Sequence, residues 1–143
     1  MDGNKKIVVG DADSLIALVN EDDANHELSV EISRVLLIQK IPIIYPTTAI
    51  LEASAKLQRG LSDYEKADSI LRSFNEDKFI AHEVDSNLIK EAYQYFSSTT
   101  SKKNTIFDSI VAVVGKKYKA DFIFSFDGWY PKLGFKPAKE LLG

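Results

Sequence analysis

Short β-branched and aromatic runs alternate along this chain with stretches patterned for helix, and no hairpin signal joins any two of the runs. Ile7-Val8-Val9 is closed by Gly10. Residues 41–45, 79–84 and 122–126 follow as further strands, with Pro42 tolerable near the start of the second. Between the first two, Leu15-Ile16-Ala17-Leu18-Val19 favours helix up to Asn20-Glu21-Asp22-Asp23, and Leu28, Ile32, Val35 and Leu36 form one amphipathic stripe. Thr47 or Thr48 is placed to cap a helix that Gly60 stops, and Ser62 with Glu65 reads as a capping box ahead of Ala67, Ile70, Leu71 and Phe74. Asp85 caps a helix carrying Leu88, Ile89, Ala92, Tyr93 and Phe96; residues 97–104 are a polar loop, and 105–118 a strongly apolar helix. Pro131, Gly134 and Pro137 break up the tail. Strands joined only through helices require crossovers, so the expected fold is a three-layer α/β/α domain around a parallel sheet of four to five strands. At 143 residues the chain is expected to form a single domain, 1–143.

The chain has no cysteine, which excludes a disulfide framework, a thiol nucleophile and every cysteine-based metal site. Only His26 and His82 are present, far apart, so a histidine-rich metal centre is not expected. The net charge of −3 argues against holding nucleic acid by a broad positive surface. A polyanionic substrate then needs another source of attraction, and a divalent cation is one. The polar start and the interruption by Asp11 and Asp13 do not read as a signal peptide, and no apolar run approaches the ~18 residues that span a bilayer. A cytoplasmic protein with no membrane role is expected.

In parallel sheets ligands bind beyond the carboxyl ends of the strands. Two strands here run into acid at that edge, the first into Asp11 and the fourth into Asp127. Alone, either is an ordinary turn or cap residue. Asp108 lies in Ile106-Phe107-Asp108-Ser109-Ile110-Val111-Ala112, a helix with almost no polar face, where a carboxylate either finds a cation or stabilises the helix N-terminus. Glu52 follows the second strand on its helix and is spaced to pair with Lys56 at i, i+4. In this topology Asp11, Glu52, Asp108 and Asp127 converge. Each close pair of ionised acids costs ~1–4 kcal/mol, and oxygen-only ligands select Mg2+ or Mn2+. Metal-assisted phosphodiester hydrolysis fits such a set without any histidine base.

These residues, in this order, resemble the PIN domain family, which includes VapC-type ribonuclease toxins. Ile7-Val8-Val9-Gly10-Asp11-Ala12-Asp13-Ser14-Leu15 resembles its opening strand, Asp-Thr-Ser and helix; Glu52 matches its helical glutamate. Phe107-Asp108-Ser109-Ile110-Val111-Ala112 and Phe124-Ser125-Phe126-Asp127, with Leu133-Gly134-Phe135-Lys136, resemble its later motifs. The resemblance implies a PIN-like fold, catalysis at Asp11, Glu52, Asp108 and Asp127 with Mg2+ or Mn2+, cleavage of single-stranded or structured RNA, a homodimer and a small antitoxin. Asp13, Ser125 and Asn104 are candidate supporting residues; Asp13 stands where the family has Ser or Thr, and Ser125 where Thr is commoner. Trp129 and Tyr130 stand where the family often has a charged residue and Phe, and read first as core-packing aromatics. Lys56, Arg59, Lys102 and Lys103 are candidate RNA contacts, although solvated surface is their more ordinary reading. Two alternatives stay open. Asp11-Ala12-Asp13 also resembles the nucleophile motif of haloacid dehalogenase-like phosphatases, with Leu15 against it. The other is a catalytically inactive PIN domain serving as an RNA- or protein-binding module.

Overall fold

The structure is a computed structural model and describes residues 5–98 and 103–143. Residues 99–102 of the expected 97–104 loop, Lys102 among them, fall outside the described residues, and Ser97 and Ser98 continue the preceding helix in place of the expected loop. In chain order the elements are β1 (Val8–Gly10), α1 (Ala12–Val19), α2 (His26–Ile38), β2 (Ile43–Pro46) and α3 (Thr47–Ala55), which runs into a π-helical turn at Lys56–Gly60. Then come α4 (Tyr64–Asn75), β3 (Ile80–His82), α5 (Ser86–Ser98), α6 (Ile106–Lys117), β4 (Phe122–Phe124), α7 (Trp129–Lys132), β5 (Lys136–Pro137) and a 3-10 turn at Ala138–Leu142.

The sheet is wholly parallel, in the order β3-β2-β1-β4-β5. β1 is its centre: Val8 and Val9 pair with Ile43 and Ile44 on one side and with Phe122 and Ile123 on the other. Strand order therefore reverses at β1, and Asp11 leaves it beside the end of β4, its N–H donating to the Phe124 carbonyl at 3.1 Å. Successive side chains of a strand face opposite layers. Val9 packs with Ile110, Val111 and Val114 of α6 and Leu88 and Ala92 of α5, whereas Val8 packs with Ile32 and Leu36 of α2. A further cluster joins α1, α3 and α4 through Leu15, Ile50, Ala53, Leu57 and Ile70, with Tyr45 of β2 among them. The expected three-layer architecture is the one observed.

Several local expectations shift. The tail read only as broken holds β5, paired to β4 through Phe122–Lys136 and Ile123–Pro137. The expected Ser62–Glu65 capping box is replaced by Asp63, whose Oδ1 accepts from the Lys66 N–H at 3.0 Å. Ser62 leaves the π-helical turn with φ 53°, a left-handed conformation incompatible with the extended backbone of an N-cap. Thr47 opens α3 directly after Pro46, and its Oγ1 accepts from the Val84 N–H instead of capping the helix. Leu71 and Phe74, placed by periodicity on the packed face of α4, are half-exposed. β4 ends at Phe124, two residues early, because the Phe126 N–H goes to the Asp13 carboxylate.

Gly10 is the point of closest approach in this sheet. A Cβ there would stand 2.2 Å from Tyr45 Cε1, and that ring is buried with its hydroxyl 3.1 Å from Ser14 Oγ, so it has nowhere to move. Gly10→Ala is expected to cost about 1–3 kcal/mol by overpacking, seen as a lower urea midpoint with an unchanged m-value.

Candidate active site

Asp11 is the N-cap of α1. Its extended backbone (φ −101°, ψ 164°) turns the chain from strand to helix, and its Oδ1 accepts from the Ala12 N–H at 2.7 Å. The residue is 4% exposed. Its other oxygen, Oδ2, accepts from the Tyr130 hydroxyl at 2.6 Å. The same hydroxyl stands 3.4 Å from Asp108 Oδ1, so residues 97 positions apart meet through one oxygen.

Asp108 lies in the first turn of α6 and divides its two oxygens between two tasks. Oδ2 accepts from the Thr105 N–H at 2.8 Å, closing a capping box with Thr105, while Oδ1 faces Tyr130. Asp108 thus sits at the N-terminus of α6 and also on the wall it shares with the other acids. Glu52 pairs with Lys56 at 3.1 Å, but its side chain is only 12% exposed, so the pair is no ordinary solvated one. Asp127 follows β4; its Oδ2 accepts from Asn104 Nδ2 at 2.8 Å and its Oδ1 from the Trp129 N–H at 2.9 Å. Asp13 Oδ2 accepts from the Ser125 hydroxyl at 2.9 Å and the Phe126 N–H at 2.8 Å, tying α1 to the end of β4. Asp13 Oδ1 is buried without a hydrogen-bond partner.

One cavity of about 360 Å³ is lined by Asp11, Asp13, Glu52, Asp108 and Asp127, with Lys56 and Lys103 also on its wall. Asn104 and Ser125 stand behind it, each buried and each holding one of the acids. Arg59 does not reach this cavity; it lines a neighbouring apolar groove with Leu51 and Phe107. Lys102 is outside the described residues. His26 and His82 are engaged elsewhere, with the Ala17 carbonyl and the Tyr118 hydroxyl.

Electrostatics follow from this crowding. Burial pushes the Asp11 carboxyl well above the usual carboxylate range, and the charges of Asp13 and Asp108 push the same way, against the hydrogen bonds from Tyr130 and Ala12. Burial likewise lifts Asp13 to about 6, opposed by the donors of Phe126 and Ser125. It also raises Glu52, with Lys56 opposing. Burial and the neighbouring acids hold the Tyr130 phenol up, so it stays a neutral donor. Among the described residues no group of three or more His, Asp or Glu side chains is disposed to hold a metal ion. Every acid on this wall has at least one oxygen engaged by a partner within the protein. In chemistry the donor set does fit a hard divalent cation, being all oxygen, mutually repelling, and including the orphaned Asp13 Oδ1.

Tyr130 is the residue whose role sequence reasoning missed. Its ring packs in the core with Val9, Ile123 and Phe135, as expected of a core aromatic, and the residue is 1% exposed. The available signal was a hydroxyl where the family resemblance supplies Phe.

Carboxyls held above their unfolded range bind protons more tightly in the folded protein, so their stabilising contribution is full below about 4 and lost as pH rises through about 6. In chelator-treated protein, urea stability is expected to rise from pH 7 to pH 5, and Asp13→Asn should flatten that rise. Parallel profiles for the two proteins would contradict the assignment.

No protein-family model matches the sequence, and no curated protein matches it. Among solved structures the chain is similar to the crystal structure of Mycobacterium tuberculosis VapC20, described as a sarcin-ricin loop cleaving toxin. The two superpose with a TM-score of 0.77 over 90% of this chain and 95% of that one, at 19% sequence identity. The chain thus has the three-layer α/β/α, PIN-like fold of that toxin.

Proposed function

We propose that this protein is a Mg2+- or Mn2+-dependent endoribonuclease that hydrolyses RNA phosphodiesters at the acidic cavity. The observation that carries the reading is the meeting of Asp11 and Asp108 at one hydroxyl, with Asp127, Glu52 and Asp13 on the same wall. Asp11, Asp108, Asp127 and Glu52 would hold the cation. When bound, such an ion activates water and neutralises charge developing on phosphate. The chain's own residues supply the rest. Ala12 N–H and Tyr130 fix both oxygens of Asp11, Asn104 orients Asp127, and Lys56 and Lys103, on the cavity wall, would meet substrate phosphates. Lys56 also offsets the charge of Glu52.

By analogy with VapC20, whose description names a ribosomal RNA loop, the substrate is a single-stranded or looped RNA. A toxin acting as a homodimer and restrained by a small antitoxin is the biological setting the same analogy suggests. Such a role belongs in the cytoplasm. Among the described residues no helix is long and apolar enough to cross a membrane. The phosphatase alternative draws less support, because Leu15 stands where its motif calls for Thr or a small residue.

Purified protein with labelled single-stranded RNA and a labelled stem-loop is expected to cut in Mn2+ and to stop cutting in EDTA. Asp108→Asn should lower the rate about a thousand-fold, the scale of losing a charge-stabilising group. RNA left intact by the wild type would favour the binding-module reading. Mn2+ at a hundred times its Kd should stabilise the wild type by about 2.7 kcal/mol, and Asp108→Asn should lose most of that gain.

A further inference from the structure

Tyr130 presents one hydroxyl, with one proton, to two carboxylates. It lies 2.6 Å from Asp11 Oδ2 and 3.4 Å from Asp108 Oδ1, so the short bond belongs to Asp11. Asp11 is thereby held at both oxygens, by Tyr130 from the core side and by the Ala12 N–H from α1, and its plane is fixed. Asp108 is fixed at Oδ2 by the Thr105 N–H, while among the described residues its Oδ1 receives only the long contact. The ring cannot swing away. It is buried among Val9, Ala112, Ile123 and Phe135, with the Trp129 ring 5.3 Å from its own. A hydroxyl at the end of so rigid a lever sets where two acids from opposite halves of the chain stand relative to each other.

Resting on the metal-dependent reading above, we propose that Tyr130 is a positioning residue for the cation site. Its hydroxyl orients Asp11 as a ligand and keeps Asp108 within reach but unsaturated, free to turn Oδ1 toward an ion. Partners that orient ligands in this way typically govern metal affinity by ten- to a hundred-fold.

Tyr130→Phe deletes the hydroxyl and keeps the packed ring, so the variant isolates the effect. Mn2+ binding is measured from the electron paramagnetic resonance signal of free Mn2+, without any substrate. The expected result is a ten- to hundred-fold weaker Kd for Tyr130→Phe. Tyr118→Phe, which loses a hydroxyl bonded to His82 on another part of the molecule, should bind as the wild type does. Adding Mn2+ to the wild type should also shift tyrosine absorption near 290 nm, a change absent from Tyr130→Phe. Wild-type affinity in Tyr130→Phe, even with a lowered melting temperature, overturns the positioning role and leaves the nuclease reading standing. Failure of the wild type to bind Mn2+ overturns both.

Discussion

Negative charge gathered at one end of a buried parallel sheet is the constraint on which the rest of this molecule turns. Five acids share one cavity wall, and Asp11 is almost wholly out of water. A lone buried carboxylate would be costly, and a group of them more so. The fold meets that cost with donors. The first turns of α1 and α6 give backbone N–H groups to Asp11 and Asp108, the end of β4 gives Phe126 N–H and Ser125 to Asp13, and Asn104 serves Asp127. Helix starts and strand ends are where unpaired backbone donors are available, so the topology itself supplies the compensation.

The same arrangement explains why the layers take the form they do. Reversal of strand order at β1 sets the carboxyl ends of β1 and β4 side by side. Asp13, in the first turn of α1, reaches across to the chain leaving β4, where it takes the Phe126 N–H. Tyr130, on α7, returns from the surface to pass its ring through the core. Tertiary packing on one side and electrostatics on the other thus meet in single side chains.

Much of the architecture could be read from the sequence because its signals were local and periodic. The β-branched runs, the amphipathic stripe of α2 and the apolar face of α6 each specify an element, and the lack of hairpin turns specifies parallel pairing. That Asp11, Asp108 and Asp127 would line one cavity was legible because each lies just beyond a strand or at a helix start, whereas Glu52, in the second turn of α3, was placed there only by following β2. β5 was not legible: two residues, one of them Pro137, carry no alternation, and they pair only because β4 is already there. The displaced cap at Asp63 depends on an extra residue in the preceding π-helical turn, which propensity does not reveal. Tyr130's dual nature was hidden for a similar reason, since burial of the ring and destination of the hydroxyl are separate facts. Arg59, expected beside Glu52, does share the apolar groove with Glu52 and Lys56 but stops short of the acidic cavity that those two residues also line.

β5 also has a bearing on how the sheet meets its surroundings. A strand of two residues offers little ladder to an incoming chain, and Pro137 has no N–H to lend. That border of the sheet is blunted against templated growth, so copies of the protein crowded together in a cell have no long open ladder there on which to begin a fibre.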